Sequence, residues 1–236
     1  MVLSDLRRIG DQSAWSPRGS EASSLRLGIV KPAVLDIGSG RGELLLAARR
    51  LGFDAIGLEL SGEMCRYIRT IDPHLEIRRE VIEEFALHAP KQFDLVVMNA
   101  VLEHVHHPET MIASAVRVLK PGGMMYIDIP NEPNLFTLVG NCVSRLSGRK
   151  TVYNLAPTWE PFHVYGFNEK VLRKLLDKHR VQIEDIVVYG SPKPIFRDDD
   201  LKDRLLAYAG SVVNSVANLI GMSYNMTVWA RKAPNS

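Results

Sequence analysis

Residues 34–45, Val-Leu-Asp-Ile-Gly-Ser-Gly-Arg-Gly-Glu-Leu-Leu, limit what this chain can fold into more than any other stretch. A run of β-branched and leucine residues carries Asp36, passes through glycines at three alternate positions (Gly38, Gly40 and Gly42), and opens directly into an apolar-periodic segment. That order reads as strand, tight turn and helix, the way an α/β sheet presents backbone amides to a nucleotide-like ligand. Glycine suits these positions because a Cβ would collide with a ligand lying against the backbone.

What the loop lacks narrows the ligand. A phosphate-cradling loop needs a lysine and a hydroxyl after its last glycine, and none follows Gly42. A dinucleotide fingerprint needs its third glycine where Glu43 stands, at the helix N-terminus that would hold pyrophosphate. A carboxylate there repels a diphosphate, and Asp36 just before the loop suits a cationic group better than a phosphate. A ligand with a nucleoside end and a positive, phosphate-free end fits, and S-adenosylmethionine is such a molecule. Residues 53–61 read as a second strand ending in an acid. Glu59 falls where such units hold the ribose hydroxyls, and Ser61 suits the N-cap of the next helix.

Coarse periodicity places strands near 33–37, 54–59, 75–79, 93–98, 123–129, 181–188 and 223–231, and helices near 42–51, 61–70, 108–120 and 168–179. The helix at 108–120 has Pro108 at its start, Met111, Ala115, Val118 and Leu119 on one face, and Pro121-Gly122-Gly123 to stop it. Alternating strands and helices argue for an α/β fold with a doubly wound, mostly parallel sheet. With 236 residues, 46% of them hydrophobic, the chain suffices for one large core, so 1–236 is expected to be a single domain after a polar lead-in over 1–30. Lys+Arg 29 against Asp+Glu 27, a net charge of +2, gives no electrostatic case for nucleic acid. Cys65 and Cys142 lie too far apart in sequence to read as a metal pair or a disulfide framework. The charges at Asp5, Arg7 and Arg8, with no apolar segment beside them, argue for a cytoplasmic protein.

Taken with 57–61, 93–105 (Phe-Asp-Leu-Val-Val-Met-Asn-Ala-Val-Leu-Glu-His-Val), 119–127 (Leu-Lys-Pro-Gly-Gly-Met-Met-Tyr-Ile) and, more weakly, 163–167, the glycine segment resembles the class I S-adenosylmethionine-dependent methyltransferases, above all the ubiquinone-type O-methyltransferases. The resemblance implies a Rossmann-like sheet of seven strands, the last antiparallel. It implies cofactor contacts from Asp36, Gly38, Ser39, Gly40 and Gly42, from Glu59 and Leu60, from Ile82 and Glu83 at the adenine, and from Asn99 and Ala100 at the methionine end. The family often has an Asp at the place of Val81, and it is missing here. Ile82 is expected to pack on the ring or to offer its backbone N–H. Glu83 is alternatively a solvated acid in a first helical turn.

His104 and His163 are the candidate catalytic bases for a hydroxyl acceptor. The resemblance places the turn at His104 against the methyl group and makes 131–167 the substrate lid. Each histidine has a plainer reading as a solvated or packed residue. A metal held by Glu103, His104, His106 and His107 is set aside, since consecutive residues point to different sides, and no metal is expected. Residues 99–102, Asn-Ala-Val-Leu, are not the Asn-Pro-Pro-aromatic signature of enzymes that methylate bases, so a small-molecule acceptor is favoured over nucleic acid. A non-catalytic S-adenosylmethionine-binding partner subunit, and a methylase of protein or RNA, stand as alternatives.

From Leu205 to Ala230 there is no charged residue, yet Ser211, Asn214, Ser215 and Asn218 oppose a membrane-crossing helix. Apolar residues recur with helical period to Ile220, after which a strand pattern begins at Tyr224. Residues 194–222 are therefore expected to insert a helix before the last strand, packed on the lid or on a second copy in a homodimer. Membrane contact through 205–220 is the lesser alternative, because the polar face lacks lysines.

Overall fold

The computed structural model describes residues 31–90, 92–150, 162–190 and 201–234, with backbone alone for 201–207. Strands β1 (Ala33–Ile37), β2 (Asp54–Leu58), β3 (Glu76–Arg78), β4 (Phe93–Asn99), β5 (Leu119–Pro130), β6 (Val181–Tyr189) and β7 (Asn225–Lys232) form one sheet in the order β3-β2-β1-β4-β5-β7-β6. β1 pairs in parallel with both β2 and β4, and β2 with β3; the sheet is mostly parallel, antiparallel at its last strands. Helices α1 (Glu43–Arg50), α2 (Gly62–Ile71), α3 (Ile82–His88), α4 (Pro108–Val118), α5 (Leu135–Leu146), α6 (Glu169–Asp177) and α7 (Leu201–Leu219) lie between strands, with a short 3-10 turn at Leu102–His104. Each of the seven strands overlaps one that the sequence places, β5 starting four residues early, and α7 lies between β6 and β7. The lead-in over 1–30, residues 151–161 of the segment expected to be a lid and 194–200 of the expected insertion lie outside the described residues.

Contacts divide the chain into two compact units. The first gathers the described residues of Met1–Met98, with Ala113–Met125 and Lys232–Ser236; the second gathers Asn99–Ile112 and Tyr126–Arg231. In the first unit every residue of β1 is buried and Leu95, Val96, Val97 and Met98 of β4 are too, as expected of central parallel strands covered on both faces. Gly57 in β2 is set by packing: a Cβ there would stand 2.6 Å from Leu45 Cδ1 and 2.7 Å from Ile77 Cδ1. Pro108 does start α4, and Met111, Ala115 and Val118 are buried. The helix ends at Val118, two residues before the expected stop. Buried Lys232 donates to Val116 O and Leu119 O at 2.9 and 2.8 Å, capping the last turn from β7. Lys120, now in β5, bridges to both oxygens of Asp94 on β4 at 2.8 Å.

Two helices have no counterpart in the periodicity reading. α3 is short and turns Ile82, Phe85 and Ala86 inward at i, i+3 and i+4. In the second unit, α5 begins with a capping box in which Asn134 and Thr137 exchange bonds, Thr137 N–H donating to Asn134 Oδ1 at 2.9 Å. α5 packs against α7. Among the described residues no helix is long and apolar enough to cross a membrane.

Candidate active site

The first unit builds a loop between β1 and α1. Gly38, Gly40 and Gly42 all have positive φ (74°, 53° and 76°), a backbone region that strains residues with a Cβ. The amides of Gly38 and Ser39 donate to Leu58 O at 2.8 and 3.0 Å, and Gly40 N–H donates to Glu59 Oε2 at 2.8 Å. Three of the loop amides are therefore engaged with β2 and its terminal acid rather than gathered into an anion-binding concavity. That agrees with a ligand lacking phosphate, and it changes what the glycines are for: close approach, not phosphate cradling. A Cβ built on Gly40 would have nothing nearer than Gly38 O at 4.0 Å, so the space above it belongs to whatever binds there.

Asp36 is 3% exposed. Burial pushes its carboxyl up to about 7, opposed by a hydrogen bond from Ser39 and reinforced by the negative charge of Glu59. Such a group is poised for a cation, whose charge would hold it ionised. Glu59 itself is half-buried at the end of β2; Oε1 accepts from Ser61 N–H at 2.7 Å while Oε2 holds Gly40. The acid read from sequence as a ribose ligand thus also ties the glycine loop to α2. Ser61 caps α2 as expected, accepting from Met64 N–H at 3.3 Å. Leu60 beside it is 59% exposed. Ile82 buries its side chain in the core, so of its two expected contacts the backbone N–H at the start of α3 is the one free of the core packing; Glu83 is half-buried in that first turn.

The second unit holds Asn99 and Ala100, both exposed where β4 ends. Ala100 has φ 53°, unusual for a residue with a Cβ, and is held there by its N–H to Asp128 O at 2.8 Å. The Asp128 carboxylate accepts from three hydroxyls, Tyr189 Oη at 2.8 Å, Thr227 Oγ1 at 2.9 Å and Tyr126 Oη at 3.3 Å, joining β5, β6 and β7. Nothing in the sequence reading singled out this buried network, because its members are scattered over 100 residues of chain.

Beside it, the turn Leu102–His104 brings together residues far apart in sequence. Glu103 O accepts from Val164 N–H at 2.7 Å and Tyr165 N–H at 3.3 Å, and Tyr165 Oη donates to His106 O at 3.2 Å. This stitching sets the His104 and His163 rings edge to face, centroids 4.9 Å apart. His104 Nδ1 meets Phe162 O at 2.9 Å; a carbonyl only accepts, so Nδ1 carries the proton and Nε2 is the open basic nitrogen of the neutral ring. Nε2 lies 3.8 Å from Glu103 Oε1. Glu103 is 2% exposed, and its Oε2 is buried with no hydrogen-bond partner among the described residues. Burial raises the Glu103 carboxyl, opposed by a backbone hydrogen bond and by His104, with the charge of Asp128 adding to the rise. Burial and the neighbouring His104 keep His163 below the ordinary histidine range.

One donor atom from each of Glu103, His104 and His163 lies within 4.8 Å of the others, an arrangement that can hold a proton or a cation. Of the four clustered residues weighed as ligands in the sequence, His106 and His107 are exposed and take no part. The arrangement therefore needs His163, which the sequence offered only as a separate motif. The same unit has a cavity of about 440 Å³ lined by Asn131, Asn168, Lys170, Arg173, Met222 and Met226, bordered by none of the expected site residues.

Comparison with known proteins supplies what geometry leaves general. Residues 12–179 match a family model described as a methyltransferase domain. The chain is 32% identical over 178 residues to the ubiquinone biosynthesis O-methyltransferase of Xanthomonas euvesicatoria, covering 73% of this chain and 72% of that one. It is 29% identical over 165 residues to the human mitochondrial ubiquinone biosynthesis O-methyltransferase, covering 65% of this chain and 42% of that one. A solved S-adenosylmethionine-dependent methyltransferase from Archaeoglobus fulgidus shares the fold with a TM-score of 0.59 at 17% identity, over 98% of this chain and 93% of that one. A glycine loop whose amides bond to β2 and its terminal acid, and a family match over most of the length, converge: this chain belongs to the class I S-adenosylmethionine-dependent methyltransferases.

Proposed function

We propose that the enzyme methylates a hydroxyl oxygen of a small molecule, with His104 as the base that takes the hydroxyl proton. The observation that carries this reading is the His104 ring itself: Phe162 O fixes the proton on Nδ1 and leaves Nε2 as the acceptor, beside buried Glu103. S-adenosylmethionine, when bound, supplies a methyl group already activated on a sulfonium, so the protein's tasks are to position, to exclude water and to accept a proton. Asp36 holds the ligand's cationic end, Glu59 its ribose hydroxyls, Gly38, Ser39, Gly40 and Gly42 the close approach, Leu60, Ile82 and Glu83 its adenine side, and Asn99 and Ala100 the methionine end. Residues 131–167 serve as the lid over the acceptor within a single methyltransferase domain. The O-methyltransferase relatives support an oxygen acceptor and a catalyst rather than a non-catalytic subunit, and they make hydroxylated ubiquinone precursors the acceptors to try first. Free Cys65 and Cys142 are in keeping with a reducing, cytoplasmic setting.

His104→Ala is expected to lower turnover about 100-fold, with S-adenosylmethionine affinity nearly unchanged. Turnover equal to wild type would remove His104 as the base. A second reading, that a divalent ion sits on Glu103, His104 and His163, is favoured by the unpartnered Glu103 Oε2. It is distinguished by loss of activity in chelator and recovery with magnesium.

A further inference from the structure

A helix on the surface of a folded unit normally turns its apolar side inward. α5 does the reverse. Its buried residues are Thr137 and Ser144, whereas Phe136, Val139, Val143 and Leu146 form an outward stripe with Leu138 beside it. α7, packed on α5, has the same inversion. Small Ala217 is buried, Asn218 Oδ1 accepts from Gly190 N–H at 3.1 Å and from the Ser223 hydroxyl, and Tyr208, Val212, Val216 and Leu219 face out at helical spacing, followed by Ile220. Leu146 is 84% exposed, Leu219 86% and Tyr208 72%.

Together these ten side chains present on the order of 1,000 Å² of surface, beyond the few hundred of a typical monomer's largest apolar patch and comparable with the roughly 800 Å² that each partner buries in a standard interface. Two observations bear on the occupant. The patch joins aliphatic side chains to Phe136 and Tyr208 and contains no tryptophan, and the basic residues of α7, Lys202 and Arg204, are confined to its first turn, so the stripe from Tyr208 onward has no lysine or arginine beside it, unlike helices that lie on anionic lipid. Arg145 lies in the last turn of α5, and Arg149 and Lys150 follow the end of the helix. Polar groups within the stripe are already satisfied, as where Ser215 Oγ donates to Ser211 O at 2.9 Å. An apolar face of this size fits the same face of a second copy across a two-fold axis.

We infer that α5 and α7 form the interface of a homodimer. The test is the mass of the full chain in solution by light scattering and sedimentation from about 1 to 100 μM, for wild type and for Val143→Glu and Val216→Glu. Both valines are exposed and neither belongs to the cofactor or histidine sites, so circular dichroism and S-adenosylmethionine binding should be unchanged. A wild-type mass of twice 26.4 kDa, with at least a tenfold weaker self-association in both variants, is expected. A wild type that stays monomeric at 100 μM, or variants that dimerise as tightly as wild type, overturns the inference. So does flotation of monomeric wild type with phosphatidylglycerol vesicles that both variants abolish, which would assign the face to lipid. None of these readouts depends on methyl transfer, so their failure is separable from failure of the proposed reaction.

Discussion

Asp36 is a buried acid whose proton is bound more tightly in the folded chain than in the unfolded one, about 7 against 3.8. Between those values the folded state binds more protons, so its stability falls as pH rises, and above about 7 the ionised carboxylate carries the whole cost. Only the ionised form attracts a cation. S-adenosylmethionine affinity is therefore expected to rise as pH increases from 5.5 and to level off above about 7, which calorimetry across that range would measure. Asp36→Asn should flatten that dependence and weaken binding at pH 8. It should also raise the melting temperature of the ligand-free protein by several degrees at pH 8, because a buried charge has been removed. A variant that binds as well as wild type at pH 8 would contradict the role given to Asp36. At this scale the sequence was informative about identity and less so about duty. Asp36 and Glu59 were legible as acids beside a loop, but Glu59's hold on Gly40 and Ser61 N–H depends on the fold. So does the encounter of His104 with His163, 59 residues away.

Among the elements, β1, its glycine loop and β2 were legible because everything that makes them is local: a buried strand, positive-φ glycines and an N-cap. The loop separates two duties of glycine that sequence cannot. Gly57→Ala is expected to cost about 1–3 kcal/mol, since the new Cβ would overlap Leu45 and Ile77 and press on Ser39 Oγ, which must turn aside. Gly40→Val meets no neighbour closer than 4.0 Å, so its cost is backbone strain at φ 53° while its Cβ and methyls fill the ligand's place. Thermal melting and ligand titration should therefore rank the two variants in opposite orders. Undiminished S-adenosylmethionine binding by Gly40→Val would move the site elsewhere. α5 carries a helical period, with Phe136, Val139, Val143 and Leu146 on one face and Thr137 and Ser144 on the other, and the capping pair Asn134 and Thr137, so its signal was present in the sequence but was absorbed into the long segment between β5 and β6. α3 escaped because three inward residues over seven positions are too few to establish a period.

For the whole molecule, a seven-stranded α/β sheet could be read from the order of elements because each strand–helix repeat carries its own signal. The central claim joins that fold to one ligand. The direct measurement is calorimetric titration of the purified full chain with S-adenosylmethionine and S-adenosylhomocysteine, with NADH as the control. Micromolar binding of the first two and none of the third is expected from a loop whose amides are engaged and whose neighbouring acids repel a diphosphate. Binding of NADH in their place, or of none of the three even with a hydroxylated acceptor present, would contradict the assignment of the glycine loop as a methyl-donor site.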